Sequence, residues 1–229
     1  MTSDVVTLKC YTDNPVAYEY TKISKAVDYL PSWWRNIQKE DFPTMRHCAG
    51  FVDLYSHSFT IPFWTEARFH LSQDRIDWEF ADNRTAMEVH HFAQRGAFMP
   101  PTSHQHVKVT SPWVLNCDEP VNFFWSSPAW NYEHKKDILV VEAVDNYKYQ
   151  SGTNINFFID IGDEPRTVTI DHKFPIVFLT PMTERKVVIE NHLVTSDELD
   201  RKRVLQCPTF TKSYTATKRH IEEKEKNDE

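Results

Sequence analysis

The sequence predicts a mainly β fold: a sandwich, jelly-roll-like or barrel domain with short N-terminal helices and a C-terminal helical tail. Three observations carry this. From Phe51 to Val194, short runs rich in aromatic and β-branched residues recur at short spacing, separated by polar turn residues. Several of them alternate with period two, so that Ala67, Phe69 and Leu71 share one face while Arg68, His70 and Ser72 share the other. Helical signals are confined to residues 21–40 and to the stretch beyond Thr195. A single β-rich domain over residues 1–205 and a charged tail over 206–229 follow.

Taken in order, TLKCYTDN (7–14) is a first strand. In SKAVDYLPSWWRNIQKED (24–41), Pro31 suits the first turn of a helix and not its interior. One short helix therefore ends near Tyr29 and a second runs from Pro31 to about Lys39, with Trp33, Trp34 and Ile37 on its apolar face. GFVDLYSHSFTIPFW (50–64) and EARFHLSQDRIDWEF (66–80) have β texture, and AMEVHHFAQRGAFMPPTS (86–103) is a strand followed by a loop. HVKVTSPWVLNC, VNFFWSSPAW, DILVVEAVDNYKY, TNINFFIDI, RTVTIDHKFPIVFLTPM and RKVVIENHLV supply further strands. Ile161–Arg166 (IGDEPR) has the turn chemistry of a hairpin. TSDELDRKRVLQ (195–206) opens as a capped helix, and KSYTATKRHIEEKEKNDE (212–229) has almost no core-forming residues; it reads as a solvated tail or as a helix that docks on a neighbouring subunit.

Composition narrows the function classes. The chain has 229 residues, a formal net charge of −7, 4 Gly and 13 Pro. The acidic balance disfavours nucleic acid as a partner. The scarcity of glycine argues against phosphate-cradling loops, and neither a Walker A, a GxGxxG nor a GxSxG pattern occurs. No apolar run is long enough to cross a membrane as a helix, and the N-terminus lacks the basic and apolar regions of a signal peptide, so no membrane partner and a cytoplasmic location are expected. Cys10, Cys48, Cys117 and Cys207 are far apart, as expected of free thiols.

The histidines are the chemistry-bearing candidates. His104 and His106 are one residue apart in a predicted strand and so share a face. A cupin-like site starts with such a His-x-His and then needs a Glu four or five residues on; here the next acid is Asp118. His90 or His172 would have to complete a set for iron or zinc. The leading expectation is a protein with no cofactor.

Two stretches carry a resemblance. AVDYLPSWWRNI and TMRHCAGFVDLYSHSFTIPFW contain Leu30-Pro31-Ser32-Trp33, Cys48-Ala49-Gly50 and Ile61-Pro62. Together with VKVTSPWVL, FLTPMTERKV and NHLVTSDE they resemble a family of uncharacterised proteins from T4-like marine and cyanobacterial phages, over residues 20–200. The resemblance implies a phage origin; it brings no activity and no catalytic residues. A second likeness is of layout. VVEAVDNYKYQSGTNINFFI followed by RTVTIDHKFPIVFLTP is similar to the dUTPase and dCTP-deaminase β-clip, with Asp145 and Tyr147 in the substrate-strand positions and Asp171-His172-Lys173 where that family has a glycine turn.

The expected function is therefore non-enzymatic protein binding, as a virion component or a protein engaging a host or phage partner in the host cytoplasm, or self-association into a homo-oligomer. Trp33, Trp34, Trp64, Trp125 and Trp130 are the interface candidates. The alternatives are a cupin-like metal-dependent oxygenase and a dUTPase-like nucleotide-binding protein.

Overall fold

A computed structural model describes residues 4–37, 44–73, 75–94, 103–128, 137–203 and 211–228. The elements run β1 (Val5–Thr12), α1 (Pro15–Tyr20), β2 (Ser24–Lys25), a 3-10 turn (Ala26–Tyr29), α2 (Ser32–Asn36), α3 (Ala49–His57), β3 (Phe59–Pro62), β4 (Ala67–Ser72), β5 (Arg75–Phe80), β6 (Met87–Val89), β7 (His104–Cys117), β8 (Asn122–Ser126), β9 (Ile138–Val140), β10 (Ala143–Asn146), β11 (Gly152–Asp160), β12 (Arg166–Ile170), β13 (Pro175–Pro181), β14 (Lys186–Leu193), α4 (Ser196–Lys202) and α5 (Thr211–Asp228). The mainly β expectation holds. The strands form three open sheets, sandwich-like in arrangement, and no barrel closes among the described residues.

The first sheet has the order β14-β1-β7-β11-β9, with β6 also on β7; the second is β10-β8-β13-β3-β2; the third is β12-β4-β5. Period-two alternation turns one face of each inward. Val107, Val109, Trp113 and Leu115 of β7 meet Ile155, Phe157 and Ile159 of β11, Phe123 and Trp125 of β8, Val177 and Leu179 of β13, and Ala67, Phe69 and Leu71 of β4 in one continuous core. Phe69 and Phe157 join the first and third sheets edge to face, with ring centroids 6.0 Å apart. Burying a core side chain of this size contributes about 1.5–3 kcal/mol, so the common core outweighs any single surface contact.

Four local expectations are corrected. Ala49–His57 is a helix, not a strand. Phe51 and Tyr55 are four residues apart and fall on one helical face, where Phe51 stacks on Trp34 (4.0 Å between centroids) and Tyr55 meets Phe178 edge on. Burial of that pair overrides the β preference of the residues around it. Ile161–Arg166 does not close a hairpin: β11 pairs with β7 and β9, whereas β12 pairs with β4 in another sheet. The turn chemistry is present, with Gly162 at φ 68°, but a turn does not choose the partner of the strand it leads into. In the N-terminal region a 3-10 turn over Ala26–Tyr29 takes the place of the first helix expected there, and α2 is only five residues long. The earlier helix α1 was not expected; Asn14 caps it by accepting from the N–H groups of Val16 and Ala17, and Pro15 opens it.

The capped helix at 195 is confirmed as α4, with reciprocal Thr195 and Glu198 bonds. The C-terminal segment is a helix, α5, that docks on its own chain. Tyr214, Thr217, Lys218, Ile221 and Glu222 are its half-buried face. The Tyr149 hydroxyl donates to Glu222 at 3.1 Å, Lys148 pairs with Glu225 at 2.8 Å, and Lys218 lies over the Tyr149 ring. The domain boundary expected at 205/206 lies outside the described residues.

A buried hydrogen bond ties the second sheet to the β10–β11 connection: Trp125 Nε1 donates to the Tyr147 hydroxyl at 2.7 Å. Both side chains are in the core. Tyr147→Phe strands the indole N–H, and we expect a loss of about 1–3 kcal/mol in urea unfolding followed by tryptophan fluorescence, with an unchanged m value.

Candidate functional site

The predicted interface tryptophans separate. Trp64 and Trp125 belong to the main core, and Trp34 to a smaller cluster with Phe51, Tyr55 and Phe178. Their large apolar rings are what the core is built from, so they are not surface anchors. Trp33 is 36 % exposed. Trp130 lies outside the described residues.

The predicted metal histidines come together only in part. His104 and His106 share the outer face of the first sheet, as their spacing requires. The His106 ring, however, stacks on His90 (centroids 4.4 Å apart, planes at 21°) and on Phe158 (4.8 Å, 25°). Ring nitrogen lone pairs lie in the ring plane, so stacked imidazoles aim them side by side and not at one point. His90 Nδ1 donates to Gln94 Oε1 at 2.5 Å, and His104 Nδ1 lies 2.9 Å from Ser103 Oγ. His172 meets Tyr20 edge on. Among the described residues no three His, Cys, Asp or Glu side chains converge as metal ligands. The iron or zinc alternative thus finds no ligand set there.

For the β-clip positions, Tyr147 is fully buried and engaged by Trp125, so its ring is not available to stack on a base. Asp171-His172-Lys173 does form a tight turn, in which the Phe174 N–H donates to the Asp171 carbonyl at 3.0 Å. Lys173 occupies the left-handed region at φ 72°, where glycine would be unstrained.

A larger concavity among the described residues lies elsewhere, at an open edge of the sandwich. A cleft of about 760 Å³ separates β14, the edge of the first sheet, from the segment Ile23–Asp28 at the edge of the second. Its origin is local. β14 pairs in parallel with β1 along Val5–Thr12, and no strand pairs with its other edge among the described residues. β2 is two residues long and ends in the 3-10 turn, so the second sheet falls short of covering β14. At one end Asn191 holds the two walls together: its Oδ1 accepts from the Ile23 N–H at 3.2 Å and its Nδ2 donates to the Ile23 carbonyl at 2.9 Å. Phe59, Val187 and Ile189 contribute apolar lining.

The charged groups on the lining differ in their partners. Arg185 is committed to Glu119, with contacts of 2.5 and 2.9 Å, and holds that carboxyl below its usual range. Lys25 and Lys186 make no ion pair among the described residues. Lys25 Nζ sits 4.1 Å from the centroid of the Phe59 ring. Burial lowers the Lys25 pKa, and the positive charge of Lys186 lowers it further. Asp28 and Glu184 stand exposed on the same lining. His57 donates from Nδ1 to the Asp53 carbonyl at 2.9 Å. The arrangement offers hydrogen-bonding backbone, an apolar floor and two ammonium groups with no ion-pair partner among the described residues, which is chemistry for recognition.

None of Lys25, Lys186 and Asn191 stood out in the sequence. The signal was slight: an amide and a lysine within an otherwise apolar run, RKVVIENHLV. Comparison with protein-family models, curated proteins and solved structures finds no match for this chain.

A second polar site lies under α5. Asp145 is largely enclosed, bonds to Gln150, and has its pKa pushed up to about 6, chiefly by burial. Tyr214 of α5 lies close enough to feel its charge. A carboxyl with a folded pKa above its unfolded value, about 3.9, stabilises the fold most below that value and loses this stability as pH rises through about 6. Asp145→Asn is therefore expected to match the parent in melting temperature near pH 4 and to exceed it above pH 7. Identical curves for the two across that range would rule out the linkage.

Proposed function

We propose that this chain is a non-enzymatic phage protein that acts by binding another protein, as a virion component or as a factor that engages a host or phage partner in the host cytoplasm. The observation that carries the binding part is the edge of β14 facing the cleft, which no strand pairs among the described residues. An edge strand presents a row of unpaired N–H and C=O groups, and an extended segment can add to it as a further strand. The cleft provides room beside that edge, and Phe59, Val187 and Ile189 offer apolar lining for alternate side chains of the added segment. The phage assignment is supported by the motifs at Leu30-Pro31-Ser32-Trp33, Cys48-Ala49-Gly50 and Ile61-Pro62.

The wall of the cleft is itself anchored to α2. Arg35 donates to the Asp28 carbonyl at 3.0 Å, which puts the half-exposed Trp33 on the element behind the rim. Trp33 is thus the one tryptophan of the predicted set placed to extend a contact beyond the cleft, among the described residues.

Panning a random decapeptide library against the full chain, followed by amide hydrogen exchange with the selected peptides, tests the proposal. Selected peptides are expected to protect the amides of Lys186–Asn191. Protection confined to any other segment overturns strand addition at β14.

A further inference from the structure

The cleft also indicates the chemistry of its occupant. We infer that the segment taken up along β14 is acidic, with a carboxylate of the partner placed between Lys25 and Lys186. The inference rests on the strand-addition proposal and adds the partner's charge to it.

Three observations point the same way. Lys25 is half-buried and laid on the Phe59 ring, so its ammonium is held at the cleft wall and not waving in solvent. Lys186 reaches the same cleft from the opposite wall, at the first residue of β14. Neither has a carboxylate partner among the described residues, whereas the neighbouring Arg185 has one. Two like charges confined near one another oppose each other, and burial adds a desolvation cost to Lys25; both effects lower its pKa. An arriving carboxylate relieves both at once, by accepting charge-assisted hydrogen bonds in a partly desolvated site. Asp28 and Glu184 lie on the exposed lining and pair with neither lysine among the described residues. They would repel an acidic segment only where it leaves the cleft.

Other occupants fit less well. A second copy of the chain brings its own Lys25 and Lys186 to the shared edge, and lysines on an edge strand keep like strands apart. Nucleic acid meets an overall charge of −7.

The test uses the full chain and three fluorescein-labelled peptides of one length, Thr-Val-Xaa-Val-Xaa-Val-Thr, with Xaa as Glu, Gln or Lys, read by fluorescence anisotropy at low salt. The Glu peptide is expected to bind at least about tenfold more tightly than the Gln peptide and to weaken as salt is raised, with the Lys peptide weakest. Lys186→Gln, at an exposed position, and Lys25→Gln, checked for an unchanged melting temperature, are each expected to lower Glu-peptide affinity without altering Gln-peptide affinity. Equal binding of the Glu and Gln peptides overturns the acidic assignment and leaves strand addition standing. No binding by any of the three overturns both.

Discussion

Strand β7 is hydrogen-bonded on both sides and sets the register of much of the molecule. β11 lies along one edge; β6 and β1 share the other, β6 opposite Val107–Val109 and β1 opposite Val114–Cys117. A slip of one residue in any of these pairings would turn Val107, Val109, Trp113 and Leu115 out of the core together. Pro112 sits where this is tolerable. It has no N–H to give, and it falls between the two pairing stretches, beside the register shift in β11 at Gly152/Asn154. There the Thr153 hydroxyl donates to the Trp113 carbonyl at 2.5 Å, which gives that carbonyl a partner within the irregular region.

The cleft follows from the same arrangement. With β7 at the centre and β1 beside it, β14 becomes the outer strand of the first sheet. The second sheet ends on the much shorter β2, and the mismatch in strand length leaves the β14 edge uncovered, among the described residues, on the side of Ile23–Asp28. Asn191 stops the mismatch from spreading, because its amide satisfies both backbone groups of Ile23. The cavity is a consequence of unequal edges, and its charge comes from which side chains those edges carry.

At the other end of the molecule, α5 is held differently. Its contacts to Lys148 and Tyr149 are polar and cationic apart from Tyr214, which meets the Tyr149 ring edge on, and none of its described side chains is fully buried. Such contacts are worth little each in water. Beneath the helix, Asp145 is enclosed enough to hold its proton near pH 6. The docked helix rests on such contacts, unlike the three sheets, which an aromatic core joins.

Much of the fold was legible in the sequence, because burial of one sheet face writes a period of two into the chain. The inward set Ala67, Phe69 and Leu71 and the capped helix after Thr195 follow from local periodicity and side-chain chemistry alone. Local information could not place Ala49–His57, where two aromatic residues at helical spacing found Trp34 and Phe178, nor foresee that β11 and β12 part into different sheets. The site was less legible still. His104 and His106 share a face as their spacing demands, yet the His106 ring stacks on His90 and Phe158, and no set of metal ligands converges among the described residues. Lys25 and Lys186 are 161 positions apart, and nothing in either stretch marks it as half of a cleft. The sequence by itself determined which residues alternate, cap and turn, since these depend on neighbours along the chain. Only the tertiary structure decided which edge stays open and which charges meet there, since strand pairing is settled by burial among residues far apart.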